Sequence, residues 1–420
     1  MSRLIKLDHL AKVEGHASLV LKIEKSKVVK CELQVIEGAR LFEELIKGRN
    51  YKDVQEIVSR ICGICSCAHT IAAVKAIEDA LNINVSEQTK VLRELLTLGE
   101  RIRSNVTHLY FLALPDYLGY DSSLSMLKKH KNIVRHALKL MKLGNEIITV
   151  LGGREIHPLN IQVGGITKLP SKKDVDELLK KLKNAEKDFI KTANYFLKLK
   201  YPKFERETDY FSLYKENDYV SVGNALISKR GIIKKENYKE HIKEMFEEYS
   251  TAKFAVKEGK SYMVGALARL NNNYRFLDNY TKSLLKNKIP SNNPFYNNIA
   301  QAIELVYLNK KAINILKNFD FKDEDMKEAK FKDGHGISAV EAPRGVLFHE
   351  YKIKNGIIKY ANIITPTVQN LRRMEEDIKA YVESLLDKSK EEIVLNIEKL
   401  IRAYDPCFSC SAHFLEVKWE

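Results

Sequence analysis

The sequence predicts an α+β protein that is mainly helical: a core bundle of long helices with small antiparallel β-sheets near both ends of the chain. Period-two alternation near each end predicts the sheets, and long segments with apolar residues three and four apart predict the helices between them. A third observation predicts one domain over residues 1–420. The chain carries two Cys-x-x-Cys pairs, Cys62/Cys65 near the front and Cys407/Cys410 near the C-terminus, and any site they share needs the two ends to meet in one fold.

In chain order, 17–24 and 28–35 alternate apolar and polar residues about Lys25-Ser26-Lys27, an antiparallel hairpin that carries Cys31. Helical spacing follows at 70–83, 88–113, 126–151, 174–199, 238–256, 296–318 and 370–403. Gly152-Gly153 and Gly164-Gly165 interrupt the pattern on either side of His157-Pro158, and the polar stretch 202–235 reads as a surface excursion. A second hairpin, 346–353 with 357–365, turns at Asn355-Gly356, a strong short-range hairpin signal.

With 420 residues, 45% of them hydrophobic and 30% charged, the chain can bury a large core. No apolar run reaches the roughly 20 residues that a spanning helix needs. The first residues lack the apolar centre of a secretory signal. A cytoplasmic protein with no membrane association is therefore expected. The net charge of +15 admits a nucleic-acid partner. However, the lysines alternate with glutamates along amphipathic stretches such as 171–200, the pattern of a solvated helix face. No nucleic-acid partner is expected, and a Lys/Glu-rich surface suits a thermophile.

Cysteines occur only at 31, 62, 65, 67, 407 and 410, and each Cys-x-x-Cys pair is followed by a histidine, His69 or His413. Without an export signal, this usage points to metal or redox chemistry before disulfides. Four thiolates suit tetrahedral zinc, an iron-sulfur cluster, or a redox nickel or iron site, and the spacing alone leaves all three open. Zinc knuckles usually keep their pairs within a few tens of residues because the metal organises a small module. A chain this long has its own core, so a metal joining its ends is better explained by catalysis.

The residues around the cysteines carry a resemblance. Arg60-Ile-Cys62-Gly-Ile-Cys65-Ser-Cys-Ala-His69 and Asp405-Pro-Cys407-Phe-Ser-Cys410-Ser-Ala-His413 resemble the two signatures of nickel-iron hydrogenase large subunits. Val13-Glu14-Gly15-His16, Arg40-Leu-Phe-Glu43, Gly153-Arg-Glu-Ile-His157-Pro, Glu341-Ala-Pro-Arg344-Gly and Ile364-Thr-Pro366-Thr367 follow in the family's order, so the resemblance spans the chain. Asp8 to Gly15, Leu114 to Tyr120 and Arg402 to Cys407 look most like the short cytoplasmic, NADP-linked sulfhydrogenase type.

The resemblance implies a Ni-Fe centre. Cys62, Cys65, Cys407 and Cys410 would bind nickel, and Cys65 and Cys410 would also bridge to an iron carrying cyanide and carbon monoxide. Heterolytic cleavage of dihydrogen needs an electron-rich metal, which soft thiolates supply, beside a base that takes the proton. Cys407 would be the first proton acceptor and Glu14 the next carrier. A structural role for Glu14, bonding backbone amides near Gly15, is the plain alternative. Arg344 would overhang the iron ligands, as opposed to forming an ordinary surface ion pair. Thr367, beside Pro366, would donate to a cyanide, and His69 would point toward a bridging sulfur. Glu43, the Ile363 carbonyl and His413 would hold Mg2+, whose hard-ligand preference suits carboxylate and carbonyl oxygens. His157 would stand behind these groups and face a partner subunit, while Cys31 and Cys67 would be small buried side chains. One departure matters: longer relatives carry an Asp on the helix after the first pair, where this chain has Arg103-Ser104-Asn105, which leaves the anchor of Arg344 unassigned.

In the family a maturation endopeptidase cuts after the position of His413, before Phe414, once nickel-insertion factors have acted. Residues 414–420, with the only tryptophan, Trp419, would be lost. After the four metal ligands only two cysteines remain, too few for a four-cysteine iron-sulfur cluster. Electrons would therefore leave through an iron-sulfur hydrogenase small subunit, then through flavin/iron-sulfur electron-transfer subunits toward NAD(P). No Gly-x-Gly-x-x-Gly occurs, so this chain is expected to bind no nucleotide. The alternatives are the large subunit of an F420-reducing or heterodisulfide-reductase-linked hydrogenase and, from another class, a non-catalytic zinc-structured or complex-I-like subunit.

Overall fold

The structure, a computed structural model, describes residues 2–38, 41–219, 221–318 and 320–412. Four long helices, Glu87–Thr107, Lys131–Gly152, Lys172–Lys198 and Asn297–Asn318, pack against one another as the helical core. Their apolar residues fall at helical spacing, and Ser86 and Ser171 cap two of them by accepting the backbone N–H groups of Thr89 and Asp174. No described helix is long and apolar enough to cross a membrane.

The two largest sheets lie toward the two ends of the chain, as expected, and are antiparallel. Ser2–Leu7, Ala17–Glu24 and Lys27–Val35 form the first, with Cys31 opposite Leu21. Gly334–Ala342, Gly345–Lys354 and Ile357–Ile364 form the second, extended at its edge by Val222–Gly223. The Ser66–Ala80 helix, which opens directly after Cys65, lies on this sheet. Gly336 permits the close approach: a Cβ there would stand 2.1 Å from the Ala76 carbonyl oxygen. The helix that orients Cys65 and His69 is thereby held on a rigid platform.

Three expectations are corrected. The helix expected at 238–256 is a single turn, Tyr238–His241, followed by paired strands Ile242–Phe246 and Lys253–Lys257. The same apolar positions fit either element, and tertiary contacts decide in favour of strands. Phe254 is buried beneath the Arg372 guanidinium, and the turn is tied to the first sheet by Thr251 N–H donating to the Val35 carbonyl. The 370–403 pattern is two helices, Pro366–Glu383 and Lys390–Ala403. The second starts at the Ser389 cap, a Ser-x-x-Glu signal that periodicity alone overlooks. The stretch 202–235 is no mere excursion: Ser212–Tyr214, Ala225–Ser228 and Gly231–Lys234 form a small sheet, and Phe211, Leu213 and Tyr219 are buried.

Buried ion pairs join the helical core to the second sheet. Glu304 accepts from Arg101 (2.7 Å) and twice from Arg269 (2.7 and 2.8 Å), and Arg269 also reaches Glu341 and the carbonyls of Ala342 and Pro343. This fixes the turn that presents Arg344. Burial pushes the Glu304 carboxyl up, but Arg101 and Arg269 outweigh it and hold the group down to about 2. Because the folded value lies below the unfolded one, this contribution is complete above the ordinary carboxylate range and is lost as pH falls from there toward about 2. Glu304→Gln leaves Arg101 buried with no counter-charge and Arg269 with Glu341 alone, and is expected to cost about 3–5 kcal/mol at neutral pH. Denaturant titration of the two proteins should show that gap narrowing in acid.

Candidate metal centre

Both ends of the chain converge at the cysteines. Glu14 and Cys407 form a parallel β-bridge, with Phe408 N–H donating to the Glu14 carbonyl (2.8 Å). Gly15 makes this approach possible: its φ is +83°, and a Cβ would stand 2.5 Å from the Ser409 nitrogen. The sulfurs of Cys62 and Cys407 lie 3.7 Å apart, as do those of Cys65 and Cys410. Cys62, Cys407 and Cys410 form one potential ligand group within 4.8 Å, and Cys65, His69 and Cys410 form another. All four cysteines are buried. Cys407 and Cys410 are joined as a disulfide in the structure; as ligands of one ion they would stand as two separate thiolates. Within the first pair, the hydrogen bond between the thiols draws Cys62 down and drives Cys65 up, burial opposing the one and reinforcing the other.

The remaining motif residues surround this sulfur cluster. A small cavity is lined by Cys65, Cys407, Cys410, His69, Arg344 and Thr367, with Pro366 beside them. Cys407 Sγ is 2.7 Å from Glu14 Oε2, and Ser409 Oγ donates to Glu14 Oε1 at the same distance. Glu14 therefore bonds side chains of the cysteine loop, not the backbone amides of its own turn. Cys407 N–H donates to Thr367 Oγ1 (2.9 Å), leaving the Thr367 hydroxyl proton free to donate elsewhere. Arg344 Nε donates to the Asp405 carbonyl (2.7 Å) and to Asp405 Oδ1 (3.0 Å). Asp405, quoted in the motif without a role, thus anchors Arg344, and the Ser104 hydroxyl takes no part. Burial alone would lower the Arg344 pKa, but Asp405 and the nearby acidic groups raise it.

These residues fit a soft-metal centre with anionic ligands. The sulfur cluster supplies the donor set. Arg344 Nη1 is buried and has no partner among the described residues, an orphan donor at the wall of the cavity.

Magnesium does not receive the same support. Ile363 N–H donates to Glu43 Oε1 (2.6 Å), and Glu43 Oε2 faces the Lys253 ammonium at 3.6 Å. Both neighbours are donors, so the carboxylate is met by a lysine where oxygens around a dication were expected. Burial raises the Glu43 carboxyl to about 7 despite Lys253. His413, the third expected ligand, and Arg40, Phe414 and Trp419 lie outside the described residues.

A model described as nickel-dependent hydrogenase matches residues 40–135 and 206–413. The chain belongs to the nickel-dependent hydrogenase family. It is 37% identical to the alpha subunit of sulfhydrogenase 1 from Pyrococcus furiosus, with 98% of each chain covered. It is 36% identical to the alpha subunit of sulfhydrogenase 2 from the same organism, over 99% of this chain and 100% of that one. Its fold matches a solved NAD+-reducing [NiFe]-hydrogenase with a TM-score of 0.89 at 24% identity, covering 98% and 99% of the two chains. The chain is a hydrogenase large subunit, which displaces the non-catalytic reading.

Several residues that brace this hydrogenase site carry no motif signal. The Glu100 carboxylate accepts the N–H groups of Cys67 (2.6 Å) and Ala68 (3.0 Å) at the start of the Ser66–Ala80 helix, where the helix dipole favours an anion. Arg103 donates to the carbonyls of Gly63 (3.2 Å) and Ile64 (2.5 Å) inside the first Cys-x-x-Cys loop. The pair sits at i and i+3 on one helix, a spacing that also occurs on solvated faces. His69 Nδ1 lies 3.1 Å from His349 Nε2, and His349 Nδ1 lies 2.5 Å from the Tyr351 hydroxyl. His157 does not reach the cavity: its N–H donates to Ser66 Oγ and its ring bonds the Ser59 carbonyl. Burial raises both Cys31 and Cys67, as inert thiols require, although Cys31 is only partly covered.

Proposed function

We propose that the chain interconverts dihydrogen with protons and electrons at a Ni-Fe centre. Nickel would be held by Cys62, Cys65, Cys407 and Cys410, and iron by the bridging thiolates of Cys65 and Cys410, with cyanide and carbon monoxide completing the iron. Bound there, the metals supply the electron-rich site for heterolytic cleavage. The 2.7 Å contact between Cys407 Sγ and Glu14 carries the reading. It joins a metal-ligating sulfur to a carboxylate that can take a proton without rearrangement. Arg344 contributes a fixed positive charge and a free Nη1 donor, which suits a cyanide nitrogen. Thr367 can donate to the second cyanide, and His69 can orient a bridging sulfur.

The similarity to sulfhydrogenase alpha subunits supports flavin-bearing partners and an iron-sulfur small subunit that pass electrons to NADP in the cytoplasm. Maturation would remove residues 414–420, so the mature chain should lack Trp419, which intact-mass measurement checks. The decisive experiment is metal analysis of the purified complex together with hydrogen-dependent NADP+ reduction. Nickel and iron in equal amounts with turnover are expected; zinc alone would overturn the proposal. No magnesium is assigned beside Glu43, and the same analysis reports on that.

A further inference from the structure

Behind Arg344 lies a buried polar chain that the proposed reaction does not use. Asp405 binds Arg344 through Oδ1 and receives Gln301 Nε2 on Oδ2 at 2.9 Å. Gln301 Oε1 lies 2.5 Å from His108 Nδ1, and His108 Nε2 lies 2.6 Å from the Arg402 carbonyl oxygen. His108, Gln301, Asp405 and Arg344 are each at most 5% exposed. His108 opens a π-helical turn, His108–Ala113, at the end of the Glu87–Thr107 helix, a distortion often found at functional sites.

The Gln301 amide spans the gap: its NH2 group donates to Asp405 and its Oε1 faces His108 Nδ1, while the other ring nitrogen meets the Arg402 carbonyl.

We infer that His108 is a positioning residue for Arg344, acting through Gln301 and Asp405. The order imidazole, amide, carboxylate, guanidinium is joined by a hydrogen bond at every step, so each bond polarises the next. Beside the chain, the Arg402 guanidinium is paired with Asp116 and Glu398, Lys12 also reaches Asp116, and Glu14 faces Arg344. The chain therefore fixes the guanidinium plane that leaves Arg344 Nη1 free at the cavity. It also ties the loop before Cys407 to the helical core. The hydrogen-bonded chain is independent of the proposed function; only the effect on the metal site rests on that reading.

Infrared spectroscopy and turnover test the inference. In complexes carrying Gln301→Met or His108→Gln, the infrared stretches of the iron-bound cyanide and carbon monoxide should shift, and turnover should fall about tenfold, as for other groups that orient metal-site residues. The double variant should shift the bands no further than the larger single change. Unchanged bands in either variant would mean that the chain is merely structural. Absence of nickel and iron from the unaltered complex would refute the proposed function, whereas unchanged bands in a complex that holds both metals would refute only the positioning role.

Discussion

Replacing Cys410 with serine is expected to abolish dihydrogen turnover and to lower the nickel content of the purified complex by about tenfold or more, since even groups behind the ligands cost 10–100-fold. Serine is nearly isosteric, so the fold should survive. Its hydroxyl, however, stays protonated near neutral pH and is a hard donor, where the site offers soft sulfur. Cys410 belongs to both ligand groups, with Cys62 and Cys407 and with Cys65 and His69, so its loss opens both. Cys67→Ser and Cys31→Ser provide the contrast. Neither sulfur joins a ligand group among the described residues, and both variants should keep nickel and turnover. Elemental analysis with a hydrogen-uptake assay checks all three, and a full nickel complement in Cys410→Ser would refute the ligand assignment.

The site was more legible in the sequence than the fold around it, for a physical reason. Metal ligation demands particular atoms, so Cys62, Cys65, Cys407 and Cys410 stand out whatever elements carry them, and the structure gathers them from both ends of the chain. Strand and helix, by contrast, share the same apolar vocabulary. Residues 238–256 satisfy helical spacing, yet Phe254 packs beneath Arg372 and Thr251 bonds Val35, contacts invisible to a local pattern. The residues that brace the site were hidden for a related reason. Asp405 stands in full view two positions before Cys407, but its role depends on Arg344 returning from a distant turn. Glu100 and Arg103 look like one more charged pair until the Cys62 loop is laid against them. Glu43 shows the converse: a motif residue is where the motif implies, but Lys253 occupies the side where a cation was expected.

Glu14→Gln is expected to reduce dihydrogen oxidation by about 10²–10⁴-fold, the usual contribution of a positioned general acid or base, with nickel and iron contents unchanged. The amide keeps the size of the carboxyl and can still accept from Ser409, so the loop around Cys407 should hold its shape. It cannot take up a proton near neutral pH, which is the one property removed. Because Ser409 donates to Oε1, the native carboxylate directs Oε2 at Cys407, and Ser409→Ala should loosen that aim and cost far less. Glu14→Asp keeps the chemistry but shortens the side chain by one methylene, opening the 2.7 Å contact, and should fall between the two. A structural role predicts a different order. Asp and Gln would then be judged by fit alone, and Gln, the closer in shape, would be the milder change. Exchange between dihydrogen and deuterated solvent separates the cases, because it requires protons to pass between the metal site and water without any electron acceptor. Loss of exchange in Glu14→Gln with partial retention in Glu14→Asp supports proton transfer through this carboxylate, and native exchange in Glu14→Gln would send the protons by another path.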